Sequence, residues 1–242
     1  MGQEPPYREH QSQRTAIGSD PMNVLEMLLA QRFSCRAFAA DPVPRVVIDR
    51  LLRTAQRTPS WSNSQPWQVV IASGAETAKF REVMFAAAAS GTPERPDFAW
   101  PRQYTGVHLQ RRRECGFQLY NTLGIARGDR AAYARQMLEN FKLFGAPHVA
   151  IITTAEELGV YGAVDCGLYV STFLLAAEAL GLGAIPQAAL AAHSDVVRAH
   201  FNIGDDRRVV CGISFGYPDR EHVINSYRTT RAPIDDVVTF VG

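Results

Sequence analysis

The chain has 242 residues, 46% of them hydrophobic, which is enough apolar side chain to bury the core of one domain. Its 25 Lys and Arg residues nearly balance 24 Asp and Glu residues, so a formal charge of +1 gives no support for a nucleic-acid or acidic-membrane partner. No uninterrupted apolar run reaches the roughly 20 residues of a membrane span. The polar residues 1–20 lack the apolar segment of a secretory signal and predict a disordered tail on a cytoplasmic protein.

Two helices are predicted next. The first has apolar residues at positions 24, 25, 28 and 29 and runs into Gln31. The second begins near Pro44 and places its apolar positions 47, 48, 51, 52 and 55 on one face. A loop with two prolines and three serines (58–66), a strand (67–72) and a helix (75–89) follow.

The second half is less regular at first and then more apolar. Residues 90–130 hold three prolines and an arginine triplet, and helical patches are predicted within 107–123 and 130–144. A buried strand (147–153), a long helix (164–180) and a strand within 207–216 come next. The long helix is apolar on most sides, which predicts burial in a core or in a subunit interface. Helices outnumber strands without alternating regularly with them, which favours an α+β fold over a doubly wound sheet.

A basic turn between the first two helices is the first candidate binding motif. It reads Arg32-Phe33-Ser34-Cys35-Arg36. Two guanidiniums and a hydroxyl within five residues can clamp a phosphate, because the planar fork of arginine matches phosphate oxygens two at a time. A solvated basic turn would carry the same residues, so the motif does not decide alone.

The second motif is the proline-bounded loop that precedes the predicted strand. It reads Pro59-Ser60-Trp61-Ser62-Asn63-Ser64-Gln65-Pro66-Trp67. Its amides and hydroxyls could hydrogen-bond the edge of a polar heteroaromatic ring while its apolar groups cover the face. A rigid turn whose tryptophans simply pack is the alternative.

Two further motifs lie in the last third of the chain. In residues 181–189, Gly-x-Gly follows a helix and not a strand, so it is not a dinucleotide fingerprint. Its small residues would let the backbone approach a ligand, although Gly181 could also be a helix C-terminal cap. Arg228 and Arg231 form the fourth motif, and surface charges on a tail are the alternative reading.

Other chemistries are not supported. Residues 212–216 match the nucleophile elbow of serine hydrolases, but no helix is predicted after Ser214 and His222 follows only eight residues later. Neither the histidines nor the four cysteines have the spacing of a metal site, and no Cys-x-x-Cys pair occurs. No metal and no catalytic acid or base is therefore predicted, and the cysteines are expected to be separate reduced thiols.

Together, the four motifs resemble the nitroreductase family in order and spacing. The family blocks Arg-Arg-Ser-x-Arg-x-Phe, Pro-Ser-x-x-Asn-x-Gln-Pro-Trp, Leu-Gly-Leu-Gly and Arg-x-Pro-Leu-Asp are similar to residues 32–38, 59–67, 180–183 and 231–235. Two positions depart from the pattern. Phe33 replaces the second arginine of the first block, and Trp61 stands where a glycine is common.

The resemblance implies a nitroreductase-like α+β fold, with a central, mostly antiparallel sheet flanked by helices. Residues 21–242 would form one domain that binds FMN non-covalently in an intertwined homodimer. The helix 164–180 would lie in the dimer core, residues 217–242 would form an arm exchanged with the partner, and residues 90–130 would form a variable lid that sets substrate preference.

It also implies a cofactor site and an activity. The residues expected to contact FMN are Arg32, Phe33, Ser34, Arg36 and Arg231 around the phosphate, Pro59, Ser60, Trp61, Asn63 and Gln65 around the flavin and ribityl, and Pro186, Gln187, Ala188 and Ala189 near the ring. Within the first block, Arg32 is expected at the phosphate and Arg36 at the pyrimidine edge of the ring. NADPH or NADH would donate hydride, and a nitro compound, quinone or similar small-molecule acceptor would be reduced in a ping-pong cycle. A flavin-storage module, a reductive dehalogenase and a flavin-fragmenting enzyme are the alternatives.

Overall fold

The computed structural model describes residues 20–242, so the predicted tail lies outside the described residues except for its last member. That residue, Asp20, caps the first helix by accepting a hydrogen bond from Met22 N. The helices are α1 Pro21–Gln31, α2 Arg45–Ala55, α3 Ala75–Ala89, α4 Gly106–Thr122, α5 Arg130–Leu138, α6 Gly159–Ala179 and α7 Ser194–Phe201. The strands are β1 Gln68–Ser73, β2 His148–Ala155, β3 Gly183–Gln187 and β4 Arg207–Gly216.

The four strands form one sheet in the order β1-β2-β4-β3, and every pair is antiparallel. The side chains of the central strand β2 alternate between two apolar cores, so that Ala150 and Ile152 face one core and Val149 and Ile151 face the other. Helices α2 and α6 cover the first face, and α3 and α7 cover the second. The predicted α+β class with a mostly antiparallel sheet is confirmed.

Helix α2 is the element whose sequence pattern is clearest. Ile48, Leu51 and Ala55 recur on one face, and all three are buried against the sheet and α6. Pro44 precedes the first turn, where its missing N–H costs nothing because that group would have no helical partner. One apolar stripe thus fixes both the helix and the surface on which it packs.

Helix α6 begins five residues before the predicted start and is buried on one side. Tyr169 and Phe173 pack into the core, whereas Val160, Val164 and Leu168 form an exposed stripe along the opposite side. Among the described residues, the segment Glu156–Ala179 is long and apolar enough to cross a membrane by length and composition. Its packing on the sheet is that of the core helix of a folded domain.

Three elements differ from expectation. Residues 181–189, for which the sequence predicts no strand, contain strand β3, an edge strand that tolerates Pro186 because no further strand lies beyond it in the described part of the chain. Helix α7 was not predicted, since its eight residues span barely two turns. Helix α5 ends at Leu138, short of the predicted 144, and the left-handed backbone angles of Leu143 and Phe144 prevent a helix from extending through the end of the predicted range.

His148 is buried in β2, and we expect its burial to make the folded protein less stable in acid. Its Nε2 accepts a hydrogen bond from Val43 N at 2.8 Å, so the ring proton is on Nδ1, 2.7 Å from Ser73 Oγ. Burial lowers the pKa of His148 below its ordinary value near 6.5. The unfolded chain therefore takes up a proton at a pH where the folded chain does not, and stability falls as the pH drops below about 6.5. Urea unfolding of wild type and His148→Gln between pH 5 and 8 checks this, because the Gln variant should lose part of the slope. An identical slope in both would contradict the assignment.

Candidate functional site

The first motif lies along the open edge of the sheet. After α1 ends, Cys35 N donates to Ala184 O at 3.2 Å and Ser34 forms a parallel bridge with the same residue of β3. The Cys35 side chain turns inward, and burial raises the pKa of its thiol to about 11. A Cβ on Gly183 would lie 2.7 Å from Cys35 Sγ, so only glycine allows this close approach.

A cleft of about 430 Å³ opens beside this edge, and its lining is cationic. Arg32 and Arg231 line it together with Arg228. The pKa of Arg32 is lowered, first by burial and then by the charge of Arg231, while Glu178 acts in the opposite direction and Arg228 adds to the lowering. Three guanidiniums held this close have more positive charge than the single carboxylate offsets, so the cleft fits a phosphate dianion.

Arg36 lines the same cleft in a different setting. Its Nη1 donates to Tyr227 Oη at 2.9 Å and to Ser34 O at 3.2 Å. Its guanidinium lies 5.9 Å from the ring centroids of both Phe144 and Tyr227. These contacts hold one nitrogen of the fork and leave the rest of the guanidinium for a ligand.

The second motif forms a tight loop, residues 59–65, called here the amide loop. Ser62, Asn63 and Gln65 have positive φ angles of 51°, 56° and 45°, a backbone conformation that costs on the order of 1 kcal/mol for each non-glycine residue. The carboxylate of Asp165 on α6 accepts Trp61 N at 3.2 Å, and Ser60 Oγ accepts Gln65 N at 2.9 Å. The loop is therefore a strained conformation held by specific bonds.

Trp61, the aromatic residue of the amide loop, is exposed, with 61% of its surface accessible. It lies edge-on against Tyr161 at 4.6 Å between ring centroids. The two rings border a groove of about 230 Å³ that Asp165 closes at its base.

One chain does not bring the first two motifs together. The cationic cleft lies near Glu178, at the C-terminal end of α6, and the amide loop lies against Asp165, near the other end. Thirteen residues of helix separate them, or about 20 Å along the axis. Of the predicted contacts, Arg32, Phe33, Ser34, Arg36 and Arg231 share the cleft, whereas Trp61 lines the separate groove.

The third motif contains the edge strand β3 and runs on into the segment that follows it. Gln187 is buried, and its side chain is occupied: Nε2 donates to Asn140 O at 2.8 Å and Oε1 accepts from Ser214 Oγ. Ala188 and Ala189 begin a 3₁₀ segment, so backbone and methyl groups are what this motif offers beyond Pro186. Ser214 is fully buried within β4, which excludes it as a hydrolase nucleophile.

Comparison with known proteins agrees with this fold. The nitroreductase family model matches residues 29–217. The chain belongs to the nitroreductase family. Nitroreductase NfnB of Mycolicibacterium smegmatis is 34% identical, over 91% of this chain and 94% of the relative. The 4-nitrobenzoate reductase of Pseudomonas putida is 30% identical, over 90% of this chain and 95% of the relative. A solved structure of the FMN-dependent nitroreductase NfnB from Mycobacterium smegmatis, in complex with NADPH, superposes with a TM-score of 0.88 at 34% identity, covering 92% of this chain and 100% of that one.

This chain departs from the common first block of the family at Phe33, and the structure shows which residue lies beside that position. The guanidinium of Arg228 lies 4.0 Å from the centroid of the Phe33 ring, a cation–π contact. A positive charge from the C-terminal segment therefore occupies the neighbourhood of the missing arginine. Comparing residues 32–38 with the family pattern cannot reveal this contact, because Arg228 lies outside that block.

Asn225 is a second residue that sequence reasoning missed. It is buried, its Oδ1 accepts Arg36 N at 2.8 Å, and its Nδ2 donates to Ala37 O at 2.9 Å and Asp219 O at 2.7 Å. This single amide fastens the first motif to the C-terminal segment. It lies outside every motif and 189 residues from Arg36, so no local signal marks it.

Replacing Asn225 by leucine should destabilise the protein strongly. Three part-buried backbone groups would lose their partner, and we expect the free energy of unfolding to fall by about 3 kcal/mol. Urea unfolding measures the change. Ser226→Ala, at the exposed neighbouring position, should change it by less than about 0.5 kcal/mol. Equal stability of the two variants would contradict this role for Asn225.

Proposed function

We propose that this protein is an FMN-dependent NAD(P)H oxidoreductase that reduces nitro compounds and related electron-poor acceptors. The observation that carries the proposal is the cationic cleft, in which four arginines line a space of about 430 Å³. Membership of the nitroreductase family and the likeness to NfnB support the cofactor and the reaction. The relatives named after 4-nitrobenzoate and chloronitrobenzene support a small nitro compound as substrate.

The residues present fit FMN. Arg32, Ser34 and Arg231 would bind its phosphate, and Arg36 would meet the ring. Asn63 and Gln65 of the amide loop would bind the flavin or ribityl, with the backbone after Pro186 beside the ring. When bound, FMN supplies the two-electron transfer between the nicotinamide donor and the acceptor. The protein orients both partners and excludes water, and none of its side chains needs to exchange a proton in this scheme.

The active assembly is a homodimer in this proposal. The exposed stripe of α6 would otherwise leave apolar surface in water, and so would Met22, Leu25 and Leu29 of α1. Because about 20 Å of helix separates the cleft from the amide loop, each site would take the cleft from one chain and the amide loop from its partner.

The C-terminal arm divides into two parts. Residues 217–228 pack on their own chain through Asn225 and Tyr227, while residues 229–242 are almost wholly exposed. The segment exchanged with a partner is therefore proposed to be 229–242, shorter than the 217–242 expected from the sequence.

Residues 90–130 are proposed to select the acceptor. The start of this region is fixed, because the buried Asp97 carboxylate accepts Val209 N at 2.7 Å and pairs with Arg198. Helix α4 borders a second cleft of about 610 Å³ that shares Cys115, Thr229 and Arg231 with the first. Any lid movement should thus involve α4 and not Asp97. A cytoplasmic location is proposed for the protein.

The decisive experiment combines cofactor release with reduction. Heat denaturation of the purified protein should release FMN and no FAD, as measured by chromatography of the supernatant. Addition of NADPH under nitrogen should bleach the yellow protein within seconds, and a nitroaromatic acceptor should restore the colour. Release of FAD, or failure to bind added FMN, would refute the cofactor. A protein that stays yellow with both NADPH and NADH would be a binding module and not an enzyme.

A further inference from the structure

A line of four side chains carries hydrogen bonds from the core to the amide loop. The indole of Trp67 is buried against Tyr169, at 5.1 Å between ring centroids. Its Nε1–H donates to Gln56 Oε1 at 3.0 Å. Gln56 Nε2 donates to Gln65 Oε1 at 3.1 Å, and Gln65 Nε2 donates to Asn63 Oδ1 at 3.0 Å. We call these four residues the amide relay.

The direction of the amide relay is fixed at its buried end. A carboxamide alone can be turned either way, since its oxygen and nitrogen occupy equivalent positions. An indole N–H can only donate, so Gln56 must turn its oxygen to Trp67 and its nitrogen to Gln65. The same constraint passes to Asn63, whose oxygen is taken by Gln65 and whose Nδ2 group, a donor, is left for whatever lies beyond.

We propose that Gln56 is a positioning residue that makes Asn63 a hydrogen-bond donor toward the flavin. The proposal rests on the proposed function, in which Asn63 meets the flavin of the site. The edge of oxidised flavin carries two carbonyl oxygens and the unprotonated N1 and N5, all of which accept hydrogen bonds, and one donor, N3–H; in this proposal Asn63 meets the acceptors. Gln56 is the C-terminal cap of α2 and lies in none of the motifs, and its contact with Gln65 spans nine residues.

The substitution Gln56→Glu reverses the relay without removing it. A carboxylate accepts only, so it still accepts from Trp67 but can no longer donate to Gln65. Gln65 then turns its nitrogen to residue 56 and its oxygen to Asn63, and Asn63 turns in response. The group that Asn63 presents outward becomes an acceptor, facing the acceptors of the flavin.

The first measurement is FMN affinity by fluorescence titration of the apoprotein. We expect Gln56→Glu to raise the dissociation constant for FMN by about tenfold, because a hydrogen bond to the flavin is lost and two acceptors then repel each other. Gln56→Met, which interrupts the relay without adding charge, should have a smaller effect. Gln136→Glu, the same chemical change on α5, should bind FMN as wild type does.

A double-mutant cycle separates the relay from a simple effect of charge. In an Asn63→Ala background, Gln56→Glu should change FMN affinity less than it does in wild type, because the end of the relay is gone and only the contact of Gln65 remains. An equal loss in both backgrounds would overturn the proposal, as would wild-type affinity in Gln56→Glu itself.

The second measurement needs no flavin. In the ¹⁵N-labelled apoprotein, Gln56→Glu should shift the side-chain amide resonances of Gln65 and Asn63, and Gln136→Glu should not. Unshifted resonances would overturn the relay. If wild type bound no FMN while these shifts were seen, the proposed function would fail and the relay would stand without its flavin role.

Discussion

A chain that stops after Arg228 is expected to be a monomer that retains no FMN. The deleted residues 229–242 are nearly all exposed, and Phe240 and Val241 show 85% and 93% of their surface to solvent. Apolar side chains at this density do not remain in water on a stable monomer, so a partner surface should cover them. The exposed stripe of α6 offers such a surface, and the deletion also removes Arg231 from the cleft.

That deletion removes both the apolar end of the arm and Arg231, and a point variant separates the two effects. Full-length Arg231→Ala should remain a dimer with weakened FMN binding, because it keeps the apolar end of the arm. Sedimentation equilibrium reports the assembly, and the ratio of flavin to protein absorbance reports the cofactor. A truncated chain that sediments as a dimer with one FMN per subunit would contradict both the exchanged segment and the role of Arg231.

The elements that the sequence predicts well are those whose burial is decided by their own periodicity. Helix α2 has a single apolar stripe that must be buried, so the spacing of Ile48 and Leu51 predicts the helix without information from the rest of the chain. Strand β3 has no such pattern. Its five residues include a proline, and it exists because β4 pairs with it on one side and residues 34 and 35 lie along the other. That pairing is tertiary and leaves no local signal.

The same distinction applies to the candidate site, where some residues can be predicted from their type and others only from their tertiary contacts. The residue types of Arg32-Phe33-Ser34-Cys35-Arg36 indicate phosphate binding, and the structure places Arg32 and Arg36 in one cleft with Arg231. Residue type says nothing about Asn225 or Gln56, which act by fixing other residues. An amide gains such a role from the partners around it, and those partners are defined only after the chain has folded.

Among single substitutions, the largest effect on cofactor binding is expected at Arg32. It lies in the cleft with three other guanidiniums, and burial together with the charge of Arg231 lowers its pKa, the sign of a site that favours an anion. Arg32→Ala should weaken FMN binding by about 2 kcal/mol or more, roughly 30-fold, for one lost charge-assisted contact. Fluorescence titration of the apoprotein measures the change.

Arg36 is expected to influence the reduction potential of the flavin as well as the affinity of the protein for FMN. Tyr227 and Ser34 O hold its guanidinium, away from the contact that Arg228 makes with Phe33. A positive charge beside the pyrimidine edge stabilises the negative charge of reduced flavin, so Arg36→Ala should lower the reduction potential and slow reduction by NAD(P)H. Arg36→Lys keeps the charge and should restore most of the potential, whereas Arg32→Ala should leave the potential near that of wild type. Spectroelectrochemical titration of the three variants, each with excess FMN, distinguishes these outcomes. If Arg36→Ala and Arg32→Ala both keep the wild-type potential and differ only in affinity, both arginines serve the phosphate and the electronic role of Arg36 is wrong.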